Sequence, residues 1–568
     1  MTEQEKAVAL AQKQAEMERT IREAVQGLRA QFDACPFEGE PCTPVEEEEY
    51  LTMPDGVRLY MQIYKPAEKS SFPVLVQRSC YPQQAALYQV YGEELARRGY
   101  GYLVQTCRGT GKSEGQWEPN VNERADGLFT LNWLNDQPWA ESIGYFGASY
   151  LALTGWAIAD AVPEKVKGML LTVYGTDRFT SAYEKGLFRH DVLTGWAMQN
   201  AGHPVTADYL ESCRYRPHAG VDEALWGGRL DWYQDWIHAT RRSDPYWQQG
   251  WWKQLMDIPA KVKVPVYIVD AWYDHHFGSA MNTWLSLNEE TKQHSWLDVG
   301  CWNHMSHPCL AWGEQKHLEN GDVKRILEWF DLLLKQKQQP RLRVRAYTLR
   351  EDCWKELAAW PAPVFAVQNL YLQADGSLAE MPQGGGEVSF DYDPADPCPT
   401  CGAESVLTTI DQAGSLLQPE PGWRPDVRTF LSAPLEQPLP ICGKIKVRLR
   451  VSTDGEDTAF TAKLCEVFPD GSAYNIRGSI TTIAADLPEG ASYTPGTPVD
   501  VTVEMWDIAW TVQPGSRLRL DVSSSDFPQY AAHSNYAGVW ADQAETRVAH
   551  QTIFTGCPGS CIELPLNL

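Results

Sequence analysis

The run Ser142-Ile143-Gly144-Tyr145-Phe146-Gly147-Ala148-Ser149-Tyr150-Leu151-Ala152 limits how this chain folds more than any other stretch. It reads as a short buried strand, a tight turn carrying a serine, and the first turn of a helix. Gly147 lets the backbone turn sharply, and the helix beyond it, with Leu151, Leu153, Trp156 and Ala157 before Pro163, points its free N–H groups back at Ser149. A nucleophilic serine is mounted in this way at the end of a parallel sheet. No glycine closes the pattern G-x-S-x-G here, Leu151 standing in its fifth place and Ala152 after it, and a serine that only caps a helix gives the same letters. The motif therefore needs support from elsewhere in the chain.

Two downstream runs supply it. Val264-Pro265-Val266-Tyr267-Ile268-Val269 is an apolar, β-branched run of the kind buried in a parallel sheet, and Asp270-Ala271-Trp272-Tyr273-Asp274 follows at its C-terminal end. Ser295-Trp296-Leu297-Asp298-Val299 leads in the same way into Gly300-Cys301-Trp302-Asn303-His304. Serine, acid and histidine thus occur in the order Ser149, Asp274, His304, the chain order of an α/β-hydrolase triad and not that of the chymotrypsin or subtilisin folds. Asp270 is a rival acid and His307 a rival histidine. His275, His276, His304 and His307 also invite a metal-site reading, but they lack the added carboxylate or thiolate ligands at zinc spacing, so no metal and no cofactor is expected.

With these motifs in view the chain resembles the cocaine esterase and X-Pro dipeptidyl-peptidase group of serine hydrolases, of CocE/NonD type. The resemblance is carried by Arg78-Ser79-Cys80-Tyr81-Pro82, the stretch Arg108 to Gly115, Gly147-Ala148-Ser149-Tyr150, Trp272-Tyr273-Asp274, Gly300-Cys301-Trp302-Asn303-His304 and Trp329-Phe330-Asp331. In the last third, Tyr392-Asp393-Pro394-Ala395-Asp396-Pro397 and Ser523-Ser524-Ser525-Asp526-Phe527-Pro528 add to it. Cys301, Ala271 and Ala152 depart from the family pattern without removing a reacting group.

The resemblance implies Ser149 as nucleophile, His304 as base and Asp274 as the acid that orients it, on the Trp-Tyr-Asp and Gly-x-Trp-x-His motifs that select Asp274 over Asp270 and His304 over His307. It implies an oxyanion hole made by the N–H of Tyr150 and the hydroxyl of Tyr81. In the related α-amino acid ester hydrolases, carboxylates two and three residues after the triad aspartate hold the substrate's ammonium group. Those positions here are His276 and Phe277, which with Trp196 predict an aromatic-lined pocket for neutral apolar or aryl acyl groups. The expected activity is hydrolysis of a small-molecule ester through an acyl-enzyme. The alternatives are an X-Pro dipeptidyl-peptidase-like or acylase-type amide hydrolase and, more remotely, a non-catalytic binding protein on a hydrolase scaffold.

The fold class that follows is an α/β-hydrolase core with a helical cap insertion and then an all-β jelly-roll sandwich. Residues 1–44 form an amphipathic helix (Met17, Ile21, Ala24, Leu28, Phe32) and linker, 45–176 and 259–337 the core, 177–258 an aromatic-rich cap, and 338–568 the jelly roll. The last assignment rests on alternation: Ile445, Val447, Leu449 and Val451 interleave with Lys446, Arg448 and Arg450. Arg108 to Gly115 is too short between its glycines for a phosphate loop and is read as a turn in which Arg108 pairs with Glu114. Cys398-Pro399-Thr400-Cys401 has no second pair at zinc-ribbon spacing. The formal charge of -25 over 568 residues disfavours nucleic acid and anionic membranes as partners, and 14 unpatterned cysteines without a leader-like start predict a cytoplasmic protein with free thiols. Oligomerisation with copies of itself is left open.

Overall fold

A computed structural model describes residues 3–36, 39–305, 309–313, 315–319, 321–404 and 412–567. Its first layer is a ten-stranded sheet in the order β1-β2-β4-β3-β5-β6-β9-β10-β11-β12. The strands are β1 (Pro44–Thr52), β2 (Arg58–Pro66), β3 (Phe72–Ser79), β4 (Gly101–Thr106), β5 (Ala140–Ala148), β6 (Val166–Thr172), β9 (Val266–Tyr273), β10 (Trp296–Asn303), β11 (Arg343–Thr348) and β12 (Cys353–Leu357). From β4 to β11 every neighbouring pair is parallel. All eight residues of β3 and of β9 are buried, as a parallel strand covered on both faces requires.

Helices α2 (Ala85–Arg97), α3 (Glu123–Asn135), α4 (Tyr150–Trp156), α11 (Phe277–Ser286) and α13 (Asp322–Phe330) alternate with these strands, and α12 (Glu289–Lys292) adds a turn before β10. Ahead of them lies α1 (Glu3–Asp33). Its last third docks on the body: Leu28 and Phe32 are buried, Arg29 pairs with Glu93 on α2, and Arg98 donates to the Phe32 carbonyl. Between β6 and β9 the chain leaves the sheet for short helices α5 (Arg178–Ala182), α6 (His190–Gln199), α7 (Tyr209–Arg214), α8 (Asp231–His238), α9 (Pro245–Gln248) and α10 (Gly250–Asp257), with a small hairpin of β7 (Tyr183–Glu184) and β8 (Leu187–Phe188). Trp226, Trp236 and Trp247 are buried within this cap.

The remaining chain is an all-β sandwich. In its strand Leu439–Thr453, Ile445, Val447, Leu449 and Val451 are buried at 0–1 % exposure, while Lys446, Arg448 and Arg450 point outward to Glu504, Glu563 and Asp500. The sandwich is tied to the core through Arg477, fully buried, which donates to the Trp272 and Asp507 carbonyls and pairs with Glu404.

Two expectations need correction. The first sheet does not end at residue 337, because β11 pairs with β10 and β12 with β11. Arg345 reaches Asp298 of β10 (Nε–Oδ1 3.1 Å) while Val344 and Ala346 turn into the core, so the half-buried alternation read as sandwich serves the edge of the hydrolase sheet. Arg108 does not pair with Glu114. It forks onto Asp126 (2.7 and 3.1 Å) and reaches Asp55, and Glu114 takes Arg58. Gly115, at φ +89°, is the reason: a Cβ there would lie 2.8 Å from Arg108 Cγ, so the arginine side chain runs across the glycine and away from its neighbour.

Candidate active site

The turn from β5 into α4 holds Ser149 at φ +56°, ψ −124°, a conformation a non-glycine residue adopts only where the surroundings enforce it. The enforcement is visible. The Ser149 N–H donates to the Thr172 carbonyl of β6 (3.0 Å), and the N–H groups of Ala152 and Leu153 return to the Ser149 carbonyl (2.9 and 3.0 Å). Gly147 is obligatory, since a Cβ there would stand 2.4 Å from the Leu151 carbonyl oxygen. Ala152, in the first turn of α4, is fully buried.

His304, one residue past β10, places Nε2 2.9 Å from Ser149 Oγ and Nδ1 2.5 Å from Asp274 Oδ2. The second oxygen of Asp274 accepts the His276 N–H at 2.6 Å, and the carboxylate is completely buried. With Nδ1–H donated to Asp274, Nε2 is left to accept the serine proton. Asp270 stays apart: one oxygen takes the N–H of Ala271 (2.7 Å), and the other has no partner. Burial first and the charge of Asp274 second push the pKa of Asp270 well above the carboxylate range. His307 lies outside the described residues.

Tyr81 follows β3, and its hydroxyl accepts the indole N–H of Trp196 on α6 at 3.1 Å. Burial pushes the phenol well above its ordinary range, and Tyr81 lines the cavity it shares with Ser149. Tyr150 opens α4 and its N–H is one of the unpaired donors of that helix. Its ring is fixed from both ends: the hydroxyl donates to Glu123 (2.9 Å) and accepts the Asn120 N–H (2.8 Å), and Trp196 stacks on it with centroids 6.1 Å apart. Glu123 is in turn held by buried Arg78 at 3.0 Å, a pair that positions Tyr150 and of which only Arg78 stands in a motif read from the sequence.

The cavity beside Ser149 measures about 50 Å³. Tyr81, Trp196, Trp236, Tyr174 and His276 line it, together with two charged residues from the cap, Arg178 and Asp191. His276 lies in the wall, with Nδ1 on Ser181 Oγ at 2.7 Å. Phe277 does not: as the first residue of α11 it turns under the sheet against Trp272 and Trp506. The pocket is also less apolar than His276 and Phe277 imply, because Asp191 brings a carboxyl from another element. A larger hollow of about 1020 Å³, bordered by Phe179, Lys185, Arg242, Trp506, His533 and Trp540, lies between cap and sandwich and reaches none of the three residues Ser149, Asp274 and His304.

The imidazoles of His275 and His276 are neutral, held well below the ordinary histidine range by burial and then by neighbouring imidazoles. Donor atoms of Asp274, His275 and His304 lie within 4.8 Å of one another, yet two of the three residues are bonded to each other. Glu404, from the sandwich, lies 4.0 Å from Arg189 of the cap.

Comparison with known proteins gives this geometry its context. Residues 55–306 match the X-Pro dipeptidyl-peptidase (S15 family), and residues 334–556 match the X-Pro dipeptidyl-peptidase C-terminal non-catalytic domain. The chain thus carries both domains of an S15-type serine hydrolase. Cocaine esterase of Rhodococcus sp. (strain MB1 Bresler) is 27% identical over 543 residues, which take in 86% of this chain and 92% of the esterase. Among solved structures, an aminopeptidase from a marine sediment archaeon (Thaumarchaeota archaeon) and an α-amino acid ester hydrolase each superpose with a TM-score of 0.78. They are 19% and 21% identical and each comparison covers 94% of this chain and 98% of the other, so they speak for the fold. This S15-type hydrolase has no helix among its described residues long and apolar enough to cross a membrane.

Proposed function

We propose that this serine hydrolase cleaves small carboxylic esters with a short, neutral acyl group. Ser149 Oγ attacks the acyl carbon while His304 takes its proton and Asp274 stabilises the resulting imidazolium. The N–H of Tyr150 and the O–H of Tyr81 receive the oxyanion, His304 returns the proton to the leaving alcohol, and water repeats the sequence on the acyl-enzyme.

The observation that carries the mechanism is the unbroken run of contacts from Asp274 through His304 to Ser149, at 2.5 and 2.9 Å. The observation that carries the acyl group is volume. A cavity of roughly 150 Å³ is the size that accepts benzene, and the space beside Ser149 is a third of that, about 50 Å³. It takes two or three carbons in place of the aryl group that an aromatic-lined pocket predicts from sequence. The matching test sets p-nitrophenyl acetate and propionate against the benzoate. The short esters should lead in kcat/KM by at least about tenfold, or about 1.4 kcal/mol, and a lead for the benzoate overturns the short-acyl reading.

A further inference from the structure

Asp191, in the first turn of α6, is 1 % exposed and lines the cavity that holds Ser149. Neither of its oxygens has a hydrogen-bond partner of good geometry, although the charge of buried Arg189 and the adjoining Val192 N–H both act on the carboxyl. Arg178, 7 % exposed, lines the same cavity, and its Nε is likewise without an acceptor although the guanidinium lies 4.8 Å over the Trp236 ring. An unsatisfied buried carboxyl costs several kcal/mol and an unsatisfied N–H adds to it. Two such groups facing one small hollow next to a nucleophile mark the place where a ligand supplies what the protein withholds.

We infer that Asp191 and Arg178 select a short acyl group bearing a hydroxyl on the carbon next to the ester carbonyl, its O–H donated to Asp191 and its oxygen accepting from Arg178. The inference rests on the short-acyl reading of the cavity and deepens it. A hydroxyl is at once donor and acceptor, so one atom satisfies both walls. Three carbons and one oxygen suit a space of about 50 Å³. Burial lifts Asp191 to about 8, and a hydroxyl pairs with the carboxyl in either protonation state. An ammonium group in that position needs an ionised Asp191 and meets the charge of Arg178 across the same hollow, which disfavours aminoacyl groups.

Three esters that differ only in the group on the carbon next to the carbonyl test this: phenyl lactate, phenyl propionate and phenyl alaninate, followed by phenol release. In the wild type the lactate should exceed the propionate by at least about tenfold in kcat/KM, since a site with buried polar groups discriminates strongly against an analogue that leaves them unpaired. The lactate should also exceed the alaninate. In Asp191→Ala the lactate-to-propionate ratio should fall below about threefold, and in Asp191→Asn, which keeps the volume, it should fall between the two. Equal wild-type rates for lactate and propionate overturn the inference, as does a lead for the alaninate or an unchanged ratio in a folded Asp191→Ala. The wild-type ratio needs no variant to be read, so a failure of Asp191→Ala to fold leaves the decision standing. If none of the three esters is turned over, the short-acyl reading itself fails, whereas equal turnover of lactate and propionate removes only the hydroxyl.

Discussion

A phenol that accepts an indole N–H still has its own proton to give, and Trp196 leaves Tyr81 in that state. Removing only the hydroxyl, as in Tyr81→Phe, should lower kcat by roughly a hundredfold to a thousandfold with a much smaller change in KM, the loss for one oxyanion donor. Steady-state kinetics on p-nitrophenyl propionate decide it, and an unchanged kcat makes Tyr81 a packing residue. The main residues of the proposed mechanism were legible in the sequence because each sits on a local motif at a strand end. Ser149 needs a strand, a turn and a helix, all within eleven residues, and His304 needs only β10 before it. Asp191 and Arg178 were not legible, since nothing near them in sequence distinguishes them from other polar residues of the cap. Tertiary packing alone brings them to Ser149. Phe277 was misplaced for a related reason: the helix that starts at this residue sets the direction of its side chain, and spacing from Asp274 does not encode that direction.

Among the elements, α1 shows how far periodicity can be trusted. The apolar positions Met17, Ile21, Ala24, Leu28 and Phe32 share one face, but Met17 is 45% exposed while Leu28 and Phe32 are buried. Periodicity reports a stripe, and the length of the stripe that finds a partner depends on where α2 and α13 lie. Deleting residues 3–22 should therefore leave the thermal midpoint unchanged. Deletion through residue 34 removes two buried side chains worth roughly 1.5–3 kcal/mol each and should lower the midpoint measurably, with kinetic constants retained because no residue of the proposed mechanism lies there. Loss of activity in a folded truncation contradicts this account of α1. Strand identity was equally exposed to context: β11 alternates like a sandwich strand, and its parallel ladder with β10, backed by the ion pairs from Arg343 and Arg345 to Asp298, places it in the hydrolase sheet.

At the scale of the whole molecule, the sandwich does more than follow the core. Arg477 crosses between them, and the Tyr273 hydroxyl donates to the Ile476 carbonyl at 3.2 Å, so the strand end that presents Asp274 is braced from the C-terminal part of the chain. Arg477→Met takes from buried Glu404 its closest ion partner and leaves it the Gln529 amide at 2.9 Å and Arg189 at 4.0 Å, a loss of up to roughly 3–5 kcal/mol. It should lower the thermal midpoint and, by loosening the Trp272–Asp274 segment, lower kcat as well. A variant that melts and turns over like the wild type shows that the brace is dispensable. The two-part architecture was readable from the change in period along the chain, from strands alternating with helices to strands alone. The brace was not, because a lone arginine in a β-strand reads as an outward-facing residue until its neighbours are placed.

The central claim is that Ser149 is the nucleophile, and covalent labelling tests it most directly. Treated with a fluorophosphonate, the protein should gain the mass of one phosphonyl group, found by peptide mapping on Ser149, and Ser149→Ala should fold, take up no label and lose turnover. Labelling or ester hydrolysis that persists in folded Ser149→Ala, or a label mapped to another residue, would contradict it.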